Sequence, residues 1–155
     1  MVQRIGHARA SAALIRAVGA RLDGALYRLS GGRIKVTGRD IPVLLLTTTG
    51  RRSGQPRTTP VMFIRDGERF VVSSESFGQQ RRAAWPLNLD ANPRASVQLG
   101  RRRFDVTARR ATDTELTAYW PRLVEVWPAH ETYLERSGQR HTFVLEPSAG
   151  AGAAP

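Results

Sequence analysis

The 155-residue chain contains no cysteine, which excludes disulfides, thiolate metal sites and cysteine nucleophiles. Histidine occurs only at His7, His130 and His141, positions too scattered to suggest a metal site. Aromatic residues make up only 7%, and the arginines gather in turns. A nucleic-acid-binding barrel interleaves exposed aromatics with basic residues on its strands, so no nucleic-acid partner is expected. No apolar run is long enough to cross a bilayer, and Arg4, Arg9, Arg16 and Arg21 interrupt what would be the apolar core of a signal peptide. The expected location is therefore cytoplasmic. The sequence also lacks a Gly-x-Gly-x-x-Gly turn opening a helix and a phosphate loop ending in Gly-Lys-Ser/Thr, which closes two common routes to nucleotides.

What the chain has in excess is positive charge. It carries 24 Lys+Arg against 13 Asp+Glu, a formal net charge of +11, and a sequence pI of about 11.6. Charge alone allows nucleic acid, an acidic membrane surface or a phosphorylated, carboxylate-rich cofactor as an anionic partner, with a basic surface kept for solubility as the bland alternative, and the scarcity of aromatics argues against the first. The length and a 41% hydrophobic content suit one compact domain.

Three arginines follow directly after the apolar run Val43-Leu44-Leu45-Leu46, in Thr47-Thr48-Thr49-Gly50-Arg51-Arg52-Ser53-Gly54-Gln55-Pro56-Arg57. A strand opening into a Gly-framed turn with three arginines can hold a polyanion through guanidinium forks and exposed backbone N–H groups. The alternative for these arginines is a solvated turn.

Along the chain, Ala12, Ala13, Leu14, Ile15, Val18, Leu22, Leu26 and Leu29 recur at near-helical spacing among arginines. They predict a basic amphipathic N-terminal helix, either packed on its own domain or resting on the inner face of a membrane. Residues 1–38 read as this helix and a linker, 39–147 as the main domain, and 148–155 as a disordered tail. Strands are expected at Val43–Thr49, Thr58–Arg65, Arg69–Ser74, Ala95–Leu99, Arg103–Arg109 and Thr142–Leu145, with a hairpin at Asp66-Gly67. Helices are expected at Arg81–Leu89, from a capping box at Thr112-Asp113-Thr114-Glu115 to about Val126, and from Pro128 to Gly138. The pattern is α+β: about six antiparallel strands closed into a small barrel, with an N-terminal helix and flanking helices.

Several separated motifs agree in type and spacing with one family. Leu44 through Pro60, then Trp85-Pro86-Leu87-Asn88-Leu89-Asp90-Ala91-Asn92-Pro93, then Tyr119-Trp120-Pro121 and Leu145-Glu146-Pro147, resemble the deazaflavin-dependent nitroreductases of mycobacteria and other actinobacteria. The resemblance implies a split β-barrel that binds coenzyme F(420), a reduced 8-hydroxy-5-deazaflavin with a phosphate and an oligoglutamate tail. It places the phosphate and tail on Arg51, Arg52 and Arg57, with Ser53, Thr58, Thr59, Pro60, Val61 and Met62 bordering the same cofactor. Ser73, Ser74, Glu75 and Ser76 correspond to a loop that touches the cofactor. Relatives often carry lysine at the position of Ser76, so Arg81 or Arg82 would supply that charge here. Trp85, Pro86, Leu87 and Asn88 correspond to the segment against the deazaflavin ring; taken alone, Trp85 reads equally as core and Asn88 as a turn cap.

The activity implied is hydride transfer to a small-molecule electron acceptor, quinone-like or nitroaromatic. The family places tyrosines in the segment after the long helix. Here that segment is Val126-Trp127-Pro128-Ala129-His130-Glu131-Thr132-Tyr133, with His130 where a substrate-side tyrosine is expected and Tyr133 retained. Both are candidate catalytic residues, since an imidazole can donate a proton to a quinone oxygen. The alternative for His130 is a surface helix residue without a role. A non-catalytic coenzyme carrier or sequestration protein is the competing function, and the chain is expected to be a monomer or a homodimer.

Overall fold

The computed structural model describes residues 31–36, 39–75 and 83–148. The expected N-terminal helix, Ser76, Arg81, Arg82 and the tail beyond Ser148 lie outside the described residues.

The described elements are β1 (Arg33–Val36), β2 (Arg39–Thr49), β3 (Pro56–Asp66), β4 (Arg69–Ser74), α1 (Ala84–Ala91), β5 (Arg94–Leu99), β6 (Arg102–Arg110), α2 (Asp113–Val126), α3 (Ala129–Ser137) and β7 (His141–Pro147). Six antiparallel strands run in the order β2-β3-β4-β7-β6-β5, and β5 returns to β2 through pairs from Leu45↔Gln98 to Thr48↔Ala95, closing the barrel. The closed barrel and its three flanking helices agree with the split barrel expected from sequence. β1, which the sequence reading left in a linker, forms a hairpin with the first residues of β2, from Arg33↔Pro42 to Val36↔Arg39. β7 runs two residues beyond the expected strand end, with Pro147 opposite Val106, and the Ser148 N–H donates to the Asp105 carbonyl.

The continuous apolar run of β2 is explained by burial on both faces. Leu44 and Leu46 point into the barrel with Val61, Phe63, Phe70, Val72, Val97, Val106, Phe143 and Leu145. Ile41, Val43 and Leu45 point outward, where Trp127, Ala129 and Tyr133 cover them. Ile64, Val71 and Val144 pack outward against Tyr119 and Leu123 of α2. One barrel therefore has an inner core and two outer patches, each capped by a helix.

The helix ends follow their local signals. Thr112 accepts from the Glu115 N–H at 3.2 Å while the Glu115 carboxylate accepts from the Thr112 N–H at 3.0 Å, the reciprocal capping box. α3 stops at Gly138, whose φ of 64° is left-handed. The first helix begins three residues later than expected, at Ala84, and ends at Ala91 just before Asn92-Pro93.

Candidate active site

The arginine turn is held in shape by its own backbone. The Gly50 N–H donates to the Gln55 carbonyl and the Gly54 N–H to the Gly50 carbonyl, both at 2.8 Å, while the Gln55 N–H donates to Ser53 Oγ at 3.2 Å. Gly54 sits at φ 68°, a conformation that side chains rarely adopt. A Cβ on Gly50 would lie 2.6 Å from Ser53 Oγ and 3.2 Å from the Gln55 carbonyl, so the turn closes because this position has none.

Asn88 ties that turn to the barrel end. It is 3% exposed. Its Oδ1 accepts from the Arg51 N–H and its Nδ2 donates to Thr48 Oγ1, each at 3.1 Å. One amide thereby fixes β2, the turn and α1 relative to one another. Trp85, also on α1, packs against the barrel core and meets Phe143 edge-on, with ring centroids 5.8 Å apart at 60°.

Between these pieces lies a cavity of about 550 Å³. Its walls come from Thr48, Gly50, Arg51, Arg52, Ser53, Arg57, Thr58, Thr59, Pro60, Ala83, Ala84, Trp85, Leu87 and Asn88. Arg51, Arg52, Ser53 and Arg57 are exposed, and no carboxylate is among the lining residues. Among the described residues, the formal charge on the cavity wall is therefore positive only. Among the described residues no group of histidines and carboxylates could hold a metal ion.

The structure gathers Arg51, Arg52, Ser53, Arg57, Thr58, Thr59, Pro60, Trp85, Leu87 and Asn88 of the expected residues around one space. Thr48, Gly50, Ala83 and Ala84 join them. Sequence reasoning had Gly50 in its turn motif, but gave no sign that Thr48 would be the partner of Asn88. Other candidates lie elsewhere. Val61 faces the barrel interior and Met62 packs beside Val43 under α3, because neighbouring strand residues alternate sides. Ser73, Ser74, Glu75 and Pro86 are buried and are not among the lining residues.

His130 is neither on the surface nor on the cavity wall. It is 2% exposed, and its Nδ1 lies 2.8 Å from Glu75 Oε2. Tyr133 is 3% exposed in the cluster beneath α3, and burial pushes its phenol up to about 12. The sequence placed both at the acceptor, and the geometry puts both just behind the cavity. Leu45, which packs in the α3 cluster, is the cross-strand partner of Pro60 on the cavity wall. The next outward pair along the ladder, Thr47 and Thr58, shares a 2.8 Å hydroxyl contact, and Thr58 lines the cavity. The cavity and the α3 cluster thus occupy consecutive stretches of the same two strands.

Comparison with known proteins fits this architecture. The model of the F(420)H(2)-dependent quinone reductase family matches residues 19–147. The chain belongs to that family. The F(420)H(2)-dependent quinone reductase of Mycobacterium tuberculosis (strain H37Rv) is 42% identical over 91 residues, 57% of this chain and 60% of that relative. The match thus spans about 60% of the relative's length. Among solved structures, an F(420)-H(2)-dependent reductase is 31% identical with a TM-score of 0.62, covering 68% of this chain and 94% of its own. A domain-swapped dimer is also 31% identical, with a TM-score of 0.63 over 68% of this chain and 80% of its own. The heme storage protein HutZ of Vibrio cholerae, at 22% identity and a TM-score of 0.55 over 81% of this chain and 87% of its own, shares the fold alone.

Within this quinone reductase family the cavity suits the coenzyme that gives the family its name. Three exposed guanidinium groups without a competing carboxylate match a phosphate followed by glutamyl carboxylates.

Proposed function

We propose that the chain is an oxidoreductase that binds reduced coenzyme F(420) in the arginine-lined cavity and passes its hydride to a quinone-like acceptor. Nitroaromatic compounds form a second acceptor class. The observation that carries this reading is the cavity itself, which unites the arginine turn with Trp85 and contains no negative charge.

When bound, the coenzyme supplies a two-electron hydride donor. The chain's own residues do the rest. Arg51, Arg52 and Arg57 hold the phosphate and carboxylate tail, and Ser53 with the Thr58–Pro60 strand borders them. Trp85 and Leu87 form the apolar wall for a flat ring and keep water from it. Asn88 sets the distance between the two ends of the site. His130 and Tyr133 stand behind the acceptor side, where an imidazole can return a proton.

Single-turnover mixing of the protein and reduced coenzyme with a soluble 1,4-naphthoquinone tests the assignment. Coenzyme oxidation at a rate well above the protein-free reaction is expected. Tight coenzyme binding with no acceleration would favour a carrier or sequestration protein instead. One observation supports that second reading: neither His130 nor Tyr133 is among the lining residues.

Peripheral membrane contact through the basic amphipathic N-terminal sequence belongs to the same proposal, since a quinone pool resides in membranes. Among the described residues no helix is long and apolar enough to cross one. Failure to co-sediment with anionic vesicles would remove this contact from the account.

A further inference from the structure

The cavity leaves one buried polar chain unused. Ser73 Oγ donates to Glu75 Oε1 at 3.1 Å, and lies 2.9 Å from Thr142 Oγ1. A serine hydroxyl has one proton, so with it committed to Glu75 the Thr142 hydroxyl must donate to Ser73. The other carboxylate oxygen, Oε2, meets His130 Nδ1 at 2.8 Å. A carboxylate can only accept, which makes Nδ1 the donor. The directions are therefore fixed from Thr142 through Ser73 to Glu75, and from His130 to Glu75. All four residues are buried, from 2% exposed for Glu75 and His130 to 6% for Thr142 and 7% for Ser73.

Two consequences follow. Glu75 has both oxygens engaged and is closed off from solvent, so it is not a side-chain contact to an anionic coenzyme. His130 Nε2, also buried, has no hydrogen-bond partner among the described residues. A buried ring nitrogen left unpaired costs stability unless it serves another purpose. The ring is otherwise flanked by the Trp120 indole, 5.9 Å away between centroids, and belongs to the helix that abuts the Leu45–Pro60 stretch behind the cavity.

We propose that Glu75 is a positioning residue for His130: it fixes the imidazole with Nδ1–H toward the carboxylate and presents Nε2 as the site of the proton returned to the acceptor. This rests on the proposed function. In the step itself His130 enters as imidazolium beside the Glu75 carboxylate. As the acceptor gains a hydride, the Nε2–H bond breaks and, because His130 stands behind the cavity wall, the proton would travel by way of an intervening water that gives one of its own protons to the acceptor oxygen. The imidazole is left neutral with a lone pair on Nε2, and solvent restores the proton. The carboxylate keeps its charge throughout and holds the ring's tautomer. Replacement of the expected tyrosine by His130 and burial of Glu75 are thus two halves of one arrangement.

The decisive variant is Glu75→Gln. Its amide oxygen can still accept from Nδ1–H and its NH₂ can still pair with Ser73, so the shape survives while the charge is lost. In the full chain with isotope-labelled histidine, nitrogen NMR should show the His130 proton on Nδ1 in the wild type. Glu75→Gln should keep coenzyme affinity within about twofold and lower kcat about a hundredfold with KM little changed. His130→Gln should show the same defect, and the double variant no more than either single one. A wild-type His130 with a bare Nδ1 overturns the proposal. So does wild-type kcat in Glu75→Gln, or in His130→Gln, when coenzyme still binds. Failure of the wild type to bind coenzyme at all refutes the proposed function and this step together, whereas coenzyme binding and turnover that Glu75→Gln leaves unchanged refute this step alone.

Discussion

A single buried amide, that of Asn88, holds the anion seat together. Removing it in Asn88→Ala leaves the Arg51 N–H and the Thr48 hydroxyl without their partner, a loss of about 1–3 kcal/mol of stability. Coenzyme affinity should fall as well, because turn and helix lose their fixed spacing. Asn88→Asp separates the two effects: its carboxylate still accepts from Arg51 and from a rotated Thr48 hydroxyl, but adds negative charge beside the arginines. Thermal unfolding should then stay near wild type while coenzyme binding weakens, and a binding loss that merely tracks the melting loss would argue against the role. Residue by residue, the sequence was legible where chemistry is carried by type and spacing. The arginine turn, Trp85 and Asn88 were all singled out. It was not legible where strand parity decides: Val61 and Met62 follow Pro60 in the same motif, yet one turns into the barrel and the other under α3. Nor could it show that Glu75, an acidic residue at a loop entrance, would be buried against a histidine 55 positions on.

At the scale of elements, α2 is anchored by charge as well as packing. Arg109 grips Glu115 with two hydrogen bonds of 2.6 and 2.9 Å, and also reaches Glu146 at 3.2 Å. The hydrogen bonds from Arg109 hold the Glu115 carboxyl down to about 2, from an ordinary 4.5. A depressed folded-state value stabilises above the unfolded one, so this contribution is complete above pH 4.5 and disappears as pH falls toward 2. Asp66 is lowered in the same direction by the Tyr119 hydroxyl. The urea midpoint should therefore drop between neutral pH and about pH 3, and Glu115→Gln should flatten that slope while lowering the neutral-pH midpoint. An unchanged slope would mean the pair contributes nothing. The capping box and the Gly138 stop made α2 and α3 readable within a residue or two. β1 escaped because four residues between Gly31-Gly32 and Gly38 gain strand character only from the β2 residues they pair with.

For the whole molecule, the barrel was inferred as the most economical closure of six short strands. What closes it is the β2–β5 ladder, a contact between residues about fifty apart that no local pattern announces. The same closure explains why an apolar strand leads straight into the arginine turn: β2 must be buried on both faces, and its end is the barrel mouth. Arg51, Arg52 and Arg57 thus bring positive charge to the place where the cavity opens. The most direct measurement is a fluorescence titration of wild type, Arg52→Glu and Arg57→Glu with coenzyme F(420) carrying short and long glutamate tails. Micromolar or tighter binding by the wild type is expected, with a loss in both variants that grows with tail length. No binding by the wild type, or a loss independent of the tail, would contradict the assignment of the cavity to the coenzyme.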